Sequence, residues 1–99
     1  MAGFVQIIQF KTSKFDEMQK VVDQFREQTA GRRTTSRVMT TKDRDNTGQY
    51  MIVAAFPSYE AAMQNNELPE TQAMSEQMMK FSDGPPTFYN LDLVRVDEG

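Results

Sequence analysis

The sequence predicts an α+β domain with elements in the order β-α-β-β-α-β around one four-stranded antiparallel sheet. Three observations point there. Segments rich in β-branched and aromatic residues alternate with segments whose apolar residues recur at helical spacing. The two middle strands are separated only by the turn chemistry of Arg44-Asp45-Asn46-Thr47-Gly48. At 99 residues the chain suits one core, because several cores appear only beyond roughly 250–300 residues. Residues 1–99 are therefore expected to form a single domain.

The first strand is Gly3 to Phe10 (GFVQIIQF), apolar on both parities and so expected to be covered on both faces. Met1-Ala2-Gly3 leads straight into it, so the chain is expected to start as structure, without a targeting segment. Thr12 or Ser13 offers a helix N-cap, and Asp16 and Glu17 suit the first turn. Phe15, Met18, Val22 and Phe25 then form an amphipathic stripe running to about Ala30, with Gly31 as the stop.

Arg33 to Asp43 (RTTSRVMTTKD) is dense in Thr and Val and lacks a helical stripe, which predicts the second strand. Gly48 to Phe56 (GQYMIVAAF) is the third, closing an antiparallel hairpin. Pro57-Ser58 starts the second helix with Ser58 as N-cap, and Pro69 must interrupt it or begin a new segment. Met74, Met78 and Phe81 continue the stripe to the stop Ser82-Asp83-Gly84-Pro85-Pro86. Thr87 to Val96 (TFYNLDLVRV) is the last strand.

This order is that of the ferredoxin-like split unit, whose right-handed crossovers put both helices on one sheet face. The strands do not alternate cleanly: Phe4, Ile8 and Phe10 oppose Val5 and Ile7, and Tyr50, Ile52, Ala54 and Phe56 oppose Met51, Val53 and Ala55. Two helices cannot cover both faces, so a second copy of the sheet is the economical cover; the alternative is an ordinary two-layer domain with an apolar open face. The sheet-to-sheet contact would bury on the order of 600–800 Å² per partner. The gross gain is on the order of 10 kcal/mol before association costs.

Composition removes whole classes of chemistry. Cysteine and histidine are both absent, which leaves no disulfide, no thiol nucleophile and no imidazole base, metal ligand or haem ligand. No apolar run reaches the roughly 18 residues of a membrane span, so a cytoplasmic protein without membrane contact is expected. Net charge is −3, yet residues 32–44 carry +4 and the remainder −7. That balance disfavours nucleic acid as a partner while leaving room for a local anion site. No Gly-rich phosphate loop, metal motif or paired-acid signature occurs, so no cofactor and no metal are expected.

The element order, the length and the passage YMIVAAFPSYEAAMQNNELPETQAMSEQM resemble the dimeric α/β-barrel superfamily, most of all its antibiotic-biosynthesis-monooxygenase branch. The resemblance spans about Gly3 to Val96 and implies two ferredoxin-like sheets packed face to face, with a ligand between sheet and helices. Cofactor-independent, quinone-forming members carry an Asn on the third strand, a Trp at its end, and a Tyr and an Arg on the second helix. Aligned on the strand end, these positions fall on Ile52, Phe56, Ala62 and near Glu76, so only the aromatic character of Phe56 is retained. Haem-degrading relatives need an iron-ligating histidine, and this chain has none.

Several side chains are candidates for a site. Arg37 sits mid-strand, where its planar fork suits a carboxylate or enolate, although pairing with an acid is the commoner role. Asn90 and Asp92 share one parity of the last strand with Phe88, and Asp92 would serve as a base if burial raised its pKa. Its structural alternative is pairing with Arg95 or Arg37. Tyr50, Phe56, Tyr59 and Phe88 gather at strand ends as a pocket wall, or equally as ordinary core. Met74 and Met78 suit an adaptable apolar lining as well as a plain core. Residues 65–71, which include Pro69, read as a lid or as a simple helix kink.

The expected function is that of a homodimer binding a small apolar or aromatic molecule. If catalytic, it would be a cofactor-independent oxygenase in which Tyr50, Asn90, Asp92 or Arg37 polarises the substrate. A non-catalytic dimerisation or stress-associated module, its pocket filled by its own side chains, is the alternative. A cavity of about 300 Å³ lined by Asn90, Tyr50 or Arg37 would separate the two.

Overall fold

In the computed structural model, which describes residues 3–99, the elements run β1 (Phe4–Lys11), α1 (Phe15–Gln28), β2 (Arg37–Lys42), β3 (Gln49–Phe56), α2 (Tyr59–Asn66), α3 (Pro69–Phe81) and β4 (Thr87–Asp92). The expectation for Met1 and Ala2 lies outside the described residues. All four strands join one antiparallel sheet in the order β2-β3-β1-β4, the ferredoxin-like arrangement. Among the described residues, no helix is long and apolar enough to cross a membrane.

Register sorts the side chains between two faces, because alternate residues of a strand point to opposite sides. Phe4 pairs with Phe56 and Asp92, and Ile8 with Ile52 and Phe88, so even-numbered residues of β1, β3 and β4 share a face. The helices cover that face. Phe10, Met18, Ile52 and Met78 are buried together there, and Phe4, Phe56 and Ala62 form a second buried cluster at the other end. Val5, Ile7, Met51, Val53 and Ala55 point the other way, with Met39 beside Val53, and no helix lies over them. Tyr89 and Leu91 extend this apolar surface across β4 at 42% and 44% exposure. The sheet of one chain is thus open on one side.

Helix punctuation follows local chemistry. Ser58 caps α2, its hydroxyl accepting from the Ala61 amide at 3.1 Å. Pro69 breaks the second helix in two and occupies the first turn of α3, where a missing N–H costs nothing. Gly31 follows α1 with φ +83°, a left-handed conformation that glycine adopts without penalty.

Several boundaries differ from expectation, some by a single residue, as where β1 spans Phe4–Lys11 rather than Gly3–Phe10. Lys14, not Thr12 or Ser13, precedes α1; the Thr12 hydroxyl instead accepts from the Lys14 amide and donates to the Phe81 carbonyl, tying the helix starts and ends together. The helix ends at Gln28 rather than Ala30. Strand β2 begins at Arg37 rather than Arg33, because the Arg33 amide donates to the Thr29 carbonyl and the Thr34 hydroxyl to that of Ala61 before the Ser36 amide joins β3 at the Ala55 carbonyl. Strand β4 ends at Asp92 rather than Val96, since its partner β1 ends there too; Leu93 still donates to the Gly3 carbonyl, and beyond it no strand remains to pair with.

Candidate functional site

Between the helix-covered face and the helices lies a cavity of about 290 Å³, close to the lower end of ligand pockets. Its floor is the sheet: Gln6 and Ile8 of β1, Ile52, Ala54 and Phe56 of β3, with Val38 and Phe88 at the two edges. Val22 and Phe25 of α1 and Met74 of α3 form the roof. The lining is mainly apolar, which follows from the two amphipathic stripes meeting over the central strands.

Polar side chains interrupt it, among them Gln6, Arg26, Arg33, Asn65, Thr71 and Gln72. The Arg33 Nε and the Asn65 Oδ1 are buried and meet no hydrogen-bond partner, and both residues line the cavity. An unmet buried donor or acceptor costs about 1–3 kcal/mol, so these two atoms mark where the chain leaves hydrogen-bonding capacity unused. The fold holds both in place. Arg32 and Arg33 donate through their amides to the Thr29 carbonyl, and the buried Thr29 hydroxyl donates to Phe25. The Arg32 guanidinium bonds the Gln28 carbonyl at 2.7 Å and Glu70 Oε1 at 3.0 Å, strapping the segment to the start of α3. That bond holds the Glu70 carboxyl below its ordinary pKa and raises that of Arg32. Arg33, next in the chain, is left to face the cavity. Asn65 is fixed at the end of α2, where its carbonyl accepts from Leu68 and from the Thr71 hydroxyl at 2.7 Å.

A polar recess of about 330 Å³ adjoins the cavity and shares Arg26, Arg33, Thr35 and Val38 with it. No aspartate or glutamate is among the lining residues of either space. Among the described residues no three carboxylates or other metal-ligating side chains converge.

Of the side chains singled out in the sequence, Phe56, Met74 and Phe88 line the cavity. The rest lie elsewhere. Met78 is buried in the core beside Met18. Tyr50 stacks on Phe15 at 4.1 Å, near the hairpin end of the sheet. Tyr59 packs edge-on against Phe4 with its ring half exposed. Asn90 shares the helix-side parity but is exposed and accepts from Gln6 Nε2 at 3.2 Å. Asp92 is exposed at the end of its strand, and Arg95, its expected partner, pairs with Asp97 at 2.8 Å instead. Arg37 takes the open-face parity and reaches only the rim of the polar recess. The size criterion for a pocket is therefore closely approached, while Asn90, Tyr50 and Arg37 do not line it. Aligned positions Ile52 and Phe56 do line it; Ala62 is buried between helix and sheet, and Glu76 is exposed.

Arg33 was not among the sequence candidates; Asn65 lies in the 65–71 stretch read as a lid or a kink, of which Asn65, Asn66 and Thr71 line the cavity. Arg33 reads as an ordinary cation after a helix end, and Asn65 as part of an interrupted helix. The available signal was the run of cations at 32–44 with a single acid.

No family model matches this sequence, and no curated protein is similar to it in sequence. Solved structures are similar in fold. A candidate antibiotic biosynthesis monooxygenase from Caulobacter crescentus superposes with a TM-score of 0.83 at 18% identity, covering 95% of this chain and 92% of that one. SnoaB, a cofactor-independent oxygenase from Streptomyces nogalater, gives 0.81 at 12% identity over 97% of each chain. A conserved protein from Methanosarcina mazei gives 0.81 at 9% identity over 92% of each. At these identities the likeness shows the fold alone, which is the ferredoxin-like arrangement expected from the sequence.

Proposed function

We propose that this protein is a homodimer that binds a small apolar, aromatic-type molecule in the cavity between its sheet and its helices. The observation that carries the reading is a mainly apolar cavity whose lining includes two residues with a buried, unpartnered polar atom, Asn65 (Oδ1) and Arg33 (Nε). A chain that filled its own core would not leave an acceptor and a donor unmet inside it. An engineered apolar cavity of about 150 Å³ holds one benzene ring, so this one suits a body of one to two rings. Dimerisation is supported by the open face, where Val5, Ile7, Val53 and Leu91 make a contiguous apolar surface on the side of the sheet away from the helices. It lies on the opposite side of the sheet from the cavity, so pairing through it leaves the cavity free.

Within this reading, the oxygenase named among the structural neighbours supports cofactor-independent oxygenation as the chemistry. In such a reaction the substrate itself supplies the electrons. An activated ring CH₂ and O₂ give C=O and water, one oxygen atom ending in each product. The Arg33 guanidinium is the group in this cavity suited to hold the substrate oxyanion that must form first.

Native mass spectrometry of the protein as purified, followed by the same sample denatured, tests the reading. The expected result is a species of twice the chain mass with extra mass that is lost on denaturation. The released molecule, returned to the protein in an oxygen electrode, should support O₂ uptake. A bare monomer at micromolar concentration would overturn the dimer, and a ligand that binds without O₂ uptake would overturn the oxygenase chemistry alone.

A further inference from the structure

We propose that the molecule this cavity takes is an organic anion: an apolar body of one to two rings carrying one carboxylate-type group, the group seated on Arg33 and Arg26 where the cavity meets the polar recess. The inference rests on the ligand-pocket reading and adds the class of ligand.

The charges at this junction are unbalanced. Arg26 and Arg33 line both spaces, and neither lining contains an acid. Among the described residues the ion pairs are Arg32 with Glu70 and Arg95 with Asp97. Arg32 thus takes the nearby carboxylate, and its neighbour Arg33 is left without one. The Nε of Arg33 is buried with no acceptor, so the chain supplies a donor and no partner. Together with Arg26, Arg33 puts two guanidinium groups and no carboxylate at the junction, which an anionic ligand would balance. A guanidinium presents its N–H groups in a planar fork that matches the two oxygens of a carboxylate, and a charged acceptor makes the stronger bond.

The rest of the cavity limits what the anion looks like. Ile8, Val22, Phe25, Ile52 and Met74 demand an apolar body, and inorganic anions offer none. The volume of about 290 Å³ excludes long acyl chains and large polycyclic frames. The wider charge pattern favours the same end of the molecule. Residues 32–44 are an island of +4 on a chain that is otherwise −7, which draws an anion to the recess and away from the remaining surface.

Equilibrium dialysis of the ligand-stripped protein against 2-naphthoate and 2-naphthalenemethanol, two probes of one shape and different charge, tests this. In the wild type, naphthoate should bind at least tenfold more tightly than the alcohol. In Arg33→Met that gap should fall below threefold, chiefly through weaker naphthoate binding. Lys20→Met, which removes an exposed charge elsewhere on α1, should keep the full gap. If Arg33→Met does not give the wild-type circular dichroism spectrum, Arg26→Met, at an exposed position of α1, carries the test and should narrow the gap at least threefold. Equal binding of both probes by the wild type would overturn the anion inference and leave the pocket standing. Binding of neither would overturn both. A gap lost equally in Lys20→Met would overturn the assignment to these arginines.

Discussion

Asn65 lies near the end of α2 and is only 8% exposed, and its Oδ1 has no donor within reach. Leucine has nearly the same shape and no polar atom. In Asn65→Leu the unmet acceptor disappears, which removes a penalty of about 1–3 kcal/mol. Leucine is also the better helix former by a few tenths of a kcal/mol. The backbone carbonyl of Asn65, which accepts from Thr71 and Leu68, is unaffected. Allowing for imperfect fit of the branched end, the net expectation is a gain of about 1–2 kcal/mol. For a domain of this size each 1 kcal/mol moves Tm by about 4–8 °C, an easily measured rise in thermal unfolding followed by circular dichroism. Wild type and variant must be compared at one protein concentration, because Tm of a dimer depends on it. The same substitution should weaken ligand binding, since it removes a polar side chain from the cavity lining. A variant less stable than the wild type by 1 kcal/mol or more would refute the reasoning, because it would mean the carboxamide serves the fold rather than a ligand.

Two other outcomes are expected. Val53→Glu puts a carboxylate at the centre of the open face, between Ile7 and Met39, without touching the helix-side core; light scattering should show a folded monomer, and an unchanged dimer would place the interface elsewhere. The Glu70 carboxyl, held below its ordinary value first by its hydrogen bond to Arg32, should titrate by NMR below an ordinary glutamate and return toward it in Arg32→Met. Its stabilising contribution is then present above the ordinary glutamate pKa and fades as pH falls through the lowered one; a titration in the wild type matching that of the variant would show that the strap is not formed in solution.

The sequence by itself determined the order of elements, the break at Pro69, the cap at Ser58 and the stop at Gly31. Each depends on local chemistry: a missing N–H, a hydroxyl in reach of the first turn, or a positive φ. It also showed that the sheet is apolar on both sides, since period-2 patterning survives whatever lies above it. It did not determine which parity meets the helices, because Phe4, Ile8 and Phe10 and their neighbours Val5 and Ile7 are interchangeable in hydropathy. Nor did it mark where strands end: β2 starts late because Arg33 and Thr34 bond to Thr29 and Ala61, and β4 stops where β1 runs out.

The cavity belongs wholly to the tertiary level. Phe56, Met74 and Phe88 were legible as apolar residues near strand ends and helix stripes. Tyr50 and Tyr59 carried the same local signal, yet stacking on Phe15 and Phe4 draws them elsewhere. Arg33 and Asn65 show the reason most plainly. Being buried without a partner is a relation among residues 30 or more positions apart, and only the packing of α1, α2 and α3 over one sheet face brings it about.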